Sequence, residues 1–369
     1  MNIHYIVNAR IPTEKAHGYQ IAKMCEAFAL KGNTVSLLVP TRRNTIEDDI
    51  YSYYGVRKNF TTTHIPTLDA LSFFRGLRLG FYIQAASFIW TLCRRPVPND
   101  VIIITRNPEI AWWYGRKGYN VFYDAHNFPV HNIWLLKILL KKNAGIITNS
   151  NGTAKAFHRA GFANIFVAPN AVDLEEFNSA WGRGNTTSPL PKGRIAVYVG
   201  HLYKWKGVSV AVAAARQSTI KDLNFVFIGG TDRDIAQYRE KTEDLNNVLF
   251  LGRCLHRDIP MFIKSADVLL LPNIPSTQES TFYTSPIKMF EYMASGVPIV
   301  ASDLPSIREI LNDRNAVLVK AGDASDLLRG ITQALNDEKN KFGMQAKKDV
   351  QQYTWLARAQ NILKFIKQS

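Results

Sequence analysis

Residues 283–311 read YTSPIKMFEYMASGVPIVASDLPSIREIL, a helix-length segment that leads after Gly296 into the short apolar run 298–301. Ser285 is predicted to be the N-cap of this helix, Pro286 its first residue and Gly296 the residue that ends it. A helix followed at once by a buried strand is the unit from which α/β domains are built. This stretch therefore predicts one helix–strand step of a parallel sheet.

The start of the helix is also a candidate anion site, because free backbone N–H groups at a helix N-terminus attract phosphate. Thr284 and Ser285 lie at that start, and Glu291 follows inside the mostly apolar helix. Fully buried glutamates are uncommon unless paired, and an ion pair with Lys288 is one alternative. A cation in the first turn opposes the helix dipole and is easier to explain if an anion binds there. A phosphate site beside a carboxylate that accepts hydrogen bonds from hydroxyls indicates the diphosphate and ribose of a nucleotide.

The same alternation of apolar runs and amphipathic stretches extends over the whole chain. Strands are predicted at 2–7, 34–39, 101–104, 120–124, 145–148, 165–168, 194–199, 224–228, 248–251, 267–271, 298–301 and 316–319. Helices are predicted at 18–31, 151–160, 208–219, 286–295 and 324–336. Buried strands rich in Val and Ile that alternate with helices form parallel sheets. A polar stretch within 170–192 separates two such halves. The sequence therefore predicts an α/β protein of two Rossmann-like, doubly wound domains that face each other across a cleft.

The composition is that of a globular protein with a basic excess. The chain has 369 residues, a net charge of +15 and three Cys residues without a Cys-x-x-Cys motif, which favours a reduced cytosolic protein. Residues 1–170 carry 20 Lys and Arg against 9 Asp and Glu, a net +11, whereas residues 171–369 carry 25 against 21, a net +4. The basic half suggests nucleic acid, an acidic membrane surface or a phosphorylated substrate as partner, and solubility charge is the alternative. No apolar leader precedes the first strand, so no secretory signal is expected.

A second candidate phosphate site is the segment GHLYKWKG, residues 200–207, which joins a strand to a helix. A lysine just before a glycine at such a turn can reach a phosphate held at the helix N-terminus. Lys206 is therefore a candidate diphosphate ligand, and His201 is a second one. A basic loop on the protein surface is the alternative.

In the first half, two residues follow strands at the edge where ligands bind. His126 comes directly after the strand at 120–124 and close to Asp124, although a histidine that caps a turn is the alternative. Gly18 lies where residues 10–18 open the first helix, and a glycine there permits the close approach of a ligand. These residues form neither a GxGxxG fingerprint nor a Walker loop, which disfavours dinucleotide and ATP sites.

Metal sites are not favoured. Asp232-Arg233-Asp234 is a DxD string, and such a pair holds a divalent metal in some sugar-transferring enzymes. Here it follows two glycines and precedes a helical segment, where Asp is a common N-cap or first-turn residue. Since no His/Cys cluster has zinc spacing either, we expect no metal and no cofactor.

Two segments of the first half are candidates for contact with a membrane surface, residues 71–95 and 132–142. Both combine aromatic residues and leucines with Lys or Arg at their edges. Ordinary helices packed against a sheet have the same composition and are the alternative.

Together these motifs resemble the family 4 retaining glycosyltransferases of the GT-B fold, and the resemblance covers nearly the whole chain. It is carried by IPTEKAHGYQIAKMCEAFA, YDAHN, ITNSNGTAKAF, VAPNAVDLEEF, VGHLYKWKG, FLGRC, DVLLLP, YTWLARAQNIL and, most specifically, SPIKMFEYMASG. The resemblance implies an acceptor-side domain at 1–170 and a donor-binding domain at 171–353. It also implies that the C-terminal helix, within 354–369, packs back on the first domain.

The resemblance implies roles for the residues that match the family's motifs. Glu291 would bind the ribose hydroxyls as the second glutamate of an E-x7-E motif, and Lys206 would neutralise the diphosphate. His126 would lie near the donor hexose, and Gly18 would belong to a loop that closes over the diphosphate. The backbone of residues 253–255 would hold the base.

The segment that would hold the base begins at Arg253 and ends at Leu255.

Two positions of the donor site depart from the family's pattern. Tyr283 stands where the first glutamate of the motif is expected, which alters the sugar end of the site. His201 stands where an arginine usually pairs with the lysine, and beside a diphosphate its pKa should be raised, so that it acts as a cation.

The resemblance implies transfer of a hexosyl group, with retention and without a metal, from a nucleoside diphosphate sugar to a hydroxyl of a glycan or lipid-linked acceptor. A UDP-sugar is favoured and a GDP-sugar is an alternative. The expected location is cytoplasmic, with the basic domain peripheral on the inner face of the cell membrane, and nucleic acid is not an expected partner. A sugar-nucleotide epimerase of the same architecture and a non-catalytic nucleotide-sugar-binding or membrane-associated protein are the alternatives.

Overall fold

The computed structural model describes residues 1–70, 78–129, 132–142, 144–179 and 190–369, and within them the chain forms two compact units. Unit 1 comprises Met1–Asn149, Thr153–Ala168 and Trp355–Ser369, and unit 2 comprises Ser150–Gly152 and Pro169–Thr354. Of the predicted linker at 170–192, residues 180–189 lie outside the described residues, as do residues 71–77 of the first membrane candidate.

Unit 1 is built on a seven-stranded sheet in the order β3-β2-β1-β4-β5-β6-β7, in which all neighbouring strands are parallel. The strands are β1 (Asn2–Ile6), β2 (Thr34–Pro40), β3 (Thr61–Ile65), β4 (Val101–Thr105), β5 (Asn120–Ala125), β6 (Gly145–Thr148) and β7 (Ile165–Val167). Every residue of β4 and β6 is buried, as expected for strands covered by helices on both faces.

Unit 2 is built on a six-stranded parallel sheet in the order β10-β9-β8-β11-β12-β13. The strands are β8 (Arg194–Val199), β9 (Leu223–Ile228), β10 (Val248–Gly252), β11 (Val268–Leu271), β12 (Ile299–Ser302) and β13 (Val317–Val319). Alternate residues of β8 pack into two different apolar clusters, Val197 into one and Tyr198 into the other. Because side chains alternate along a strand, this sheet has an apolar core on each face.

The helices of the described residues include the five that the amphipathic pattern predicts, each within two residues of its predicted bounds, and others that this pattern did not indicate. They are Ala16–Leu30, Ile50–Tyr54, Arg78–Arg94, Pro108–Arg116, Ile133–Leu140, Asn151–Arg159, Leu174–Ser179, Val208–Gln217, Asp232–Glu240, Ile259–Lys264, Ile287–Ser295, Pro305–Arg308, Ala324–Leu335, Lys341–Asp349 and Trp355–Gln368. The prediction of two doubly wound α/β domains is confirmed. Strand β3 was not predicted, because this edge strand is the mostly polar segment TTTHI and only its last residue is buried.

Candidate functional site

The helix of the opening motif runs from Ile287 to Ser295, and Gly296 ends it with a left-handed φ of 76°. The prediction that Ser285 is its N-cap is wrong. Pro286 occupies that position without a side-chain cap, and the Ser285 hydroxyl instead accepts a hydrogen bond from the backbone N–H of Asn170. Because no side chain of the described residues caps this helix, the N–H groups of its first turn can donate hydrogen bonds to a bound anion.

Lys288, in the first turn of this helix, has a buried side-chain amino group. The residue is 8% exposed, and its Nζ has no hydrogen-bond partner among the described residues. The Nζ lies 3.7 Å from the centroid of the Tyr198 ring. Burial, reinforced by the charge of Lys206, holds the pKa of Lys288 well below its usual value, although Glu291 acts in the opposite direction. Protonation of this buried amino group is unfavourable unless an anion binds beside it.

Lys206 ends the short 3-10 helix Lys204–Lys206, and Gly207 follows with a φ of 75°. A Cβ at position 207 would lie 1.7 Å from the carbonyl oxygen of Pro272, so the turn requires glycine. Burial lowers the pKa of Lys206 to about 8, against the opposing charge of Glu279. Since the charge of Lys206 acts on Lys288, these two residues, here called the lysine pair, form one cationic site.

Glu291 is buried, with 4% exposure, and its carboxylate is held by a residue that the sequence analysis missed. The Nε2 of His256 lies 2.7 Å from Oε1 of Glu291. The alternative ion pair with Lys288 is not formed within the described part of the chain. Because 35 residues separate His256 from Glu291, no local spacing pattern could have linked them.

The loop predicted to hold a nucleotide base follows β10 directly. Its strand ends at Gly252, which has a φ of 84°, and Arg253 and Leu255 are both exposed. The Nε of Arg253 donates a hydrogen bond to the carbonyl oxygen of Gly230 at 3.2 Å. His256 comes next in the chain, so this loop is joined to Glu291 through the imidazole.

The residues at the predicted sugar end have local contacts. Tyr283 ends the π-helical turn Glu279–Tyr283, and its hydroxyl donates to Oε1 of Gln278 at 3.2 Å. Thr284 follows in an extended conformation and is partly exposed. His201 stacks on Tyr203 with ring centroids 5.0 Å apart. Glu279 is exposed, and its negative charge acts on Lys206.

In unit 1, His126 belongs to a buried polar cluster at the ends of β1, β4 and β5. Its Nε2 lies 3.1 Å from Oδ2 of Asp124, which also accepts a hydrogen bond from Nε of Arg106 at 3.0 Å and from the hydroxyl of Tyr5. Arg358, from the C-terminal helix, approaches Oδ1 of Asp124 at 3.8 Å. We call these five residues the Asp124 cluster.

The ionisation of the Asp124 cluster follows from its burial. Burial favours neutral Asp124, but its contacts with His126 and Arg106 outweigh that effect and hold its pKa well below the usual range. Burial, aided by the charge of Arg106, lowers the pKa of His126 to about 4 despite the neighbouring carboxylate. At neutral pH the imidazole is therefore uncharged and donates Nε2–H to Asp124, which leaves Nδ1 as an acceptor.

The loop position that the resemblance implied for Gly18 is not observed, and its role towards a ligand stays a prediction. Gly18 lies in the first turn of the helix Ala16–Leu30 and is buried. A Cβ at this position would meet the hydroxyl of Tyr54 at 2.0 Å and Cγ2 of Thr13 at 2.7 Å. The glycine is therefore required by packing against Tyr54, which also hydrogen-bonds the backbone of Thr13.

The DxD string has a structural role. Thr231 and Asp234 form a reciprocal capping box at the start of the helix Asp232–Glu240, with both the backbone N–H and the hydroxyl of Thr231 donating to Asp234. Within the described ranges, no group of three or more His, Cys, Asp or Glu side chains could hold a metal ion. None of the helices described here is long and apolar enough to cross a bilayer.

In unit 2 the structure thus joins residues from three places in the chain into one site. The lysine pair comes from the loop after β8 and from the helix start, and Glu291 is linked to the loop after β10 through His256. The arrangement offers two buried lysines, uncapped helix N–H groups and a buried carboxylate, which suit a diphosphate with adjacent hydroxyls. His126 and Gly18 belong to unit 1.

Two family models match consecutive parts of the chain. The model described as Glycosyltransferase Family 4 matches residues 18–176, and the model described as Glycosyl transferases group 1 matches residues 193–337. The matches coincide with the two halves that the sequence analysis distinguishes.

Curated relatives are similar to parts of the chain. A phosphatidyl-myo-inositol mannosyltransferase of Mycolicibacterium smegmatis is 29% identical over 195 residues, which are 51% of this chain and 47% of that protein. A UDP-Gal:alpha-D-GlcNAc-diphosphoundecaprenol alpha-1,3-galactosyltransferase of Escherichia coli is 25% identical over 187 residues, 47% of this chain and 46% of that protein. The chain spans about half the length of the curated relatives it matches.

Solved structures with the same fold match the entire chain. The sucrose-phosphate synthase of Thermosynechococcus elongatus superposes with a TM-score of 0.79 at 17% identity and covers 100% of this chain and 99% of that one. The Anabaena protein Alr3699/HepE, solved with UDP and glucose, gives a TM-score of 0.74 at 16% identity and covers 100% of both chains. At these identities the likeness shows the fold.

Proposed function

Because the chain belongs to the family 4 glycosyltransferases of the GT-B fold, we propose that it transfers a hexosyl group from a nucleoside diphosphate sugar to a hydroxyl of a glycan or lipid-linked acceptor. The transfer retains the anomeric configuration and serves the synthesis of a surface polysaccharide or glycolipid. The lysine pair carries this proposal, since two buried lysines beside an uncapped helix N-terminus gain a partner, and become cations, when a diphosphate binds.

In this proposal the lysine pair stabilises the negative charge that develops on the leaving diphosphate. Glu291 accepts hydrogen bonds from the ribose hydroxyls through Oε2, while His256 holds Oε1. The residues 253–255 hold the base. UDP is the favoured nucleotide, because a UDP-Gal transferase is among the relatives and a fold neighbour was solved with UDP.

His201 and His126 have supporting roles. His201 would add a third cation to the diphosphate when it is protonated, as the arginine usual at this position does. His126, uncharged at neutral pH, would accept a hydrogen bond from a hexose hydroxyl through Nδ1. The proton of the acceptor hydroxyl would pass to a phosphate oxygen of the donor, so that neither a carboxylate pair nor a metal is needed. The use of Asp234 in a capping box supports metal independence.

A panel of UDP- and GDP-hexoses tests the proposed function. We expect one UDP-hexose to raise the thermal midpoint of the protein and to release UDP slowly, with the rate unchanged by a chelator. Release of the nucleoside diphosphate with a hexose of unchanged configuration indicates transfer, whereas a hexose of changed configuration indicates epimerisation. Failure of every donor to bind, or activity that vanishes with the chelator and returns with manganese, would contradict the proposal.

We also propose that unit 1 binds an anionic membrane surface through the helix Ile133–Leu140. Trp134 and Ile138, one turn apart, are 66% and 52% exposed, and Leu135 beside them is 39% exposed. Lys137 is exposed on the same helix, and Lys141 and Lys142 are exposed directly after it. Exposed aromatic and aliphatic side chains next to lysines suit insertion at a lipid headgroup boundary.

The double substitution Trp134→Ser with Ile138→Ser tests this surface. We expect binding to vesicles with phosphatidylglycerol to weaken by up to roughly 1,000-fold, because about 2 kcal/mol of apolar burial is lost for each of the two side chains. The matched control is Phe282→Ser with Leu249→Ser, which removes two exposed apolar side chains of unit 2. Cosedimentation measures both. Equal binding by the two variants, or no vesicle binding by the wild type at low salt, would remove the proposal.

A further inference from the structure

Unit 1 contains a cavity of about 520 Å³ at the ends of β1 and β2. Four of the residues that line it are cations, Arg10, Lys15, Arg42 and Arg43, and two are carboxylates, Glu14 and Asp69. Among the described residues, with His17 uncharged, the lining therefore carries a net charge of 4 − 2 = +2. We call it the basic cavity.

The two carboxylates of the basic cavity are engaged within the protein. Glu14 accepts a hydrogen bond from Arg10 at 2.6 Å, and Asp69 accepts one from the backbone N–H of Arg43 at 3.0 Å. The side chains of Lys15 and Arg43 are exposed. A bound anion could therefore meet cationic side chains without displacing the ion pair of Arg10.

Arg42 is fixed in the cavity wall by neutral groups. Its guanidinium donates to Oδ1 of Asn8 at 2.7 Å and to Oε1 of Gln84, which is fully buried. Gln84 also donates to Asn8 at 3.1 Å. The Nε of Arg42 is buried and has no hydrogen-bond partner among the described residues. The amide oxygens orient the guanidinium without neutralising its charge, and the carboxylate of Asp69 offsets that charge only in part. The positive charge of Arg42 is therefore positioned for an anionic ligand.

We propose that the basic cavity binds a phosphoryl group of the glycosyl acceptor. This inference rests on the proposed function, because it assigns the cavity to the acceptor of the same transfer. Guanidinium groups bind phosphate oxygens through paired N–H donors. The volume exceeds that of a phosphate alone and leaves room for an attached sugar, within the usual range of small-ligand sites. The phosphoryl group belongs either to a lipid-linked acceptor or to a soluble phosphorylated glycan.

Calorimetric titration of the whole chain, saturated with UDP to fill the donor site, tests the inference. The probe is glucose 1-phosphate, and the variant is Lys15→Ala with Arg43→Ala. The control, Lys155→Ala with Arg159→Ala, removes the same charge from exposed positions on another helix of unit 1. We expect the probe's affinity to fall at least tenfold in the cavity variant and to stay within twofold in the control, with UDP affinity unchanged in both.

Absence of glucose 1-phosphate binding to the wild type would overturn the inference, as would equal losses in the two variants. Loss of UDP affinity in the cavity variant would also overturn it, because the cavity would then serve the donor. If UDP itself does not bind, the proposed function fails, whereas the titration with glucose 1-phosphate still reports on the cavity. Vesicle binding is measured in the Trp134→Ser with Ile138→Ser variant, which removes the contact proposed for the helix Ile133–Leu140. Phosphatidylglycerol vesicles that bind this variant and that glucose 1-phosphate displaces would assign a lipid-linked acceptor, whereas vesicles that do not bind it, or that glucose 1-phosphate does not displace, would assign a soluble one.

Discussion

Replacement of Lys288 by methionine should stabilise the unliganded protein and at the same time weaken donor binding. The Lys288 ammonium is buried and has no hydrogen-bond partner among the described residues, and the charge of Lys206 opposes its protonation. Methionine fills a similar volume without a charge, and such replacements commonly raise the free energy of unfolding by about 1–3 kcal/mol. Loss of a charged contact with a diphosphate costs about 2–4 kcal/mol, which lowers UDP affinity roughly 30- to 1,000-fold.

Denaturant unfolding and calorimetric titration with UDP measure the two effects of Lys288→Met. Lys264→Met is the matched control, because the Lys264 ammonium donates a hydrogen bond to the carbonyl oxygen of Phe177 at 3.0 Å. The control should be neutral or destabilising and should keep its UDP affinity. A destabilised Lys288→Met protein, or one that binds UDP as the wild type does, would contradict the assignment of Lys288 to an anion site.

Replacement of Asp124 by asparagine should destabilise the protein by about 3–5 kcal/mol. Asparagine has the same shape but no charge, so Arg106 and Arg358 would lose the buried carboxylate that they share. The substitution also removes the anionic acceptor of the Nε2–H of His126. We therefore expect a lower transfer rate in the folded variant, because the imidazole is no longer held in one tautomer.

The pH dependence of Asp124→Asn supplies a second check. The folded-state pKa of Asp124 is depressed, so its contribution to stability is present above the unfolded value near 4 and is lost as the pH falls toward the folded value. The difference between wild type and variant should thus shrink below about pH 4. Asp100→Asn, which changes an exposed carboxylate hydrogen-bonded to Asn2, should cost less than about 0.5 kcal/mol. Equal losses at both positions would contradict the account of the Asp124 cluster.

The sheets could be predicted from the sequence because their strands are buried on both faces. Strands such as VIIIT and VLLL form continuous apolar runs, which are recognisable without alternation. The edge strand β3 could not be recognised in this way, since three threonines and a histidine precede its only buried residue. Helix bounds were accurate where glycine ends the helix, as at Gly296.

The contacts of the site were less predictable than its residue types. Pro286 and Gly296 predict where the helix begins and ends. Lys206 and Glu291 stand out because one is a lysine at a strand-to-helix turn and the other a glutamate in an apolar helix. The use of the Ser285 hydroxyl by Asn170 depends on a contact across 115 residues, and so the predicted cap was wrong. His256 and Arg358 reach Glu291 and Asp124 only through the tertiary fold. A single sequence carries no local signal for such pairs.

Proton uptake on UDP binding tests the central claim most directly. The pKa of Lys206 is about 8 in the unliganded protein, and an adjacent diphosphate should raise it because the anion favours the charged form. At pH 8.5 the lysine is mostly neutral before binding, whereas UDP is fully ionised there, so binding must take up protons. UDP affinity should accordingly fall as the pH rises above about 8, by up to about tenfold per unit.

Titration calorimetry at pH 8.5 in two buffers of different ionisation enthalpy counts these protons. The account predicts a net uptake of roughly half a proton or more per UDP bound by the wild type. Lys206→Arg is the control, since an arginine stays charged at this pH, and its uptake should be smaller. UDP binding without proton uptake, or with the same uptake in Lys206→Arg, would contradict the claim that the lysine pair holds the diphosphate.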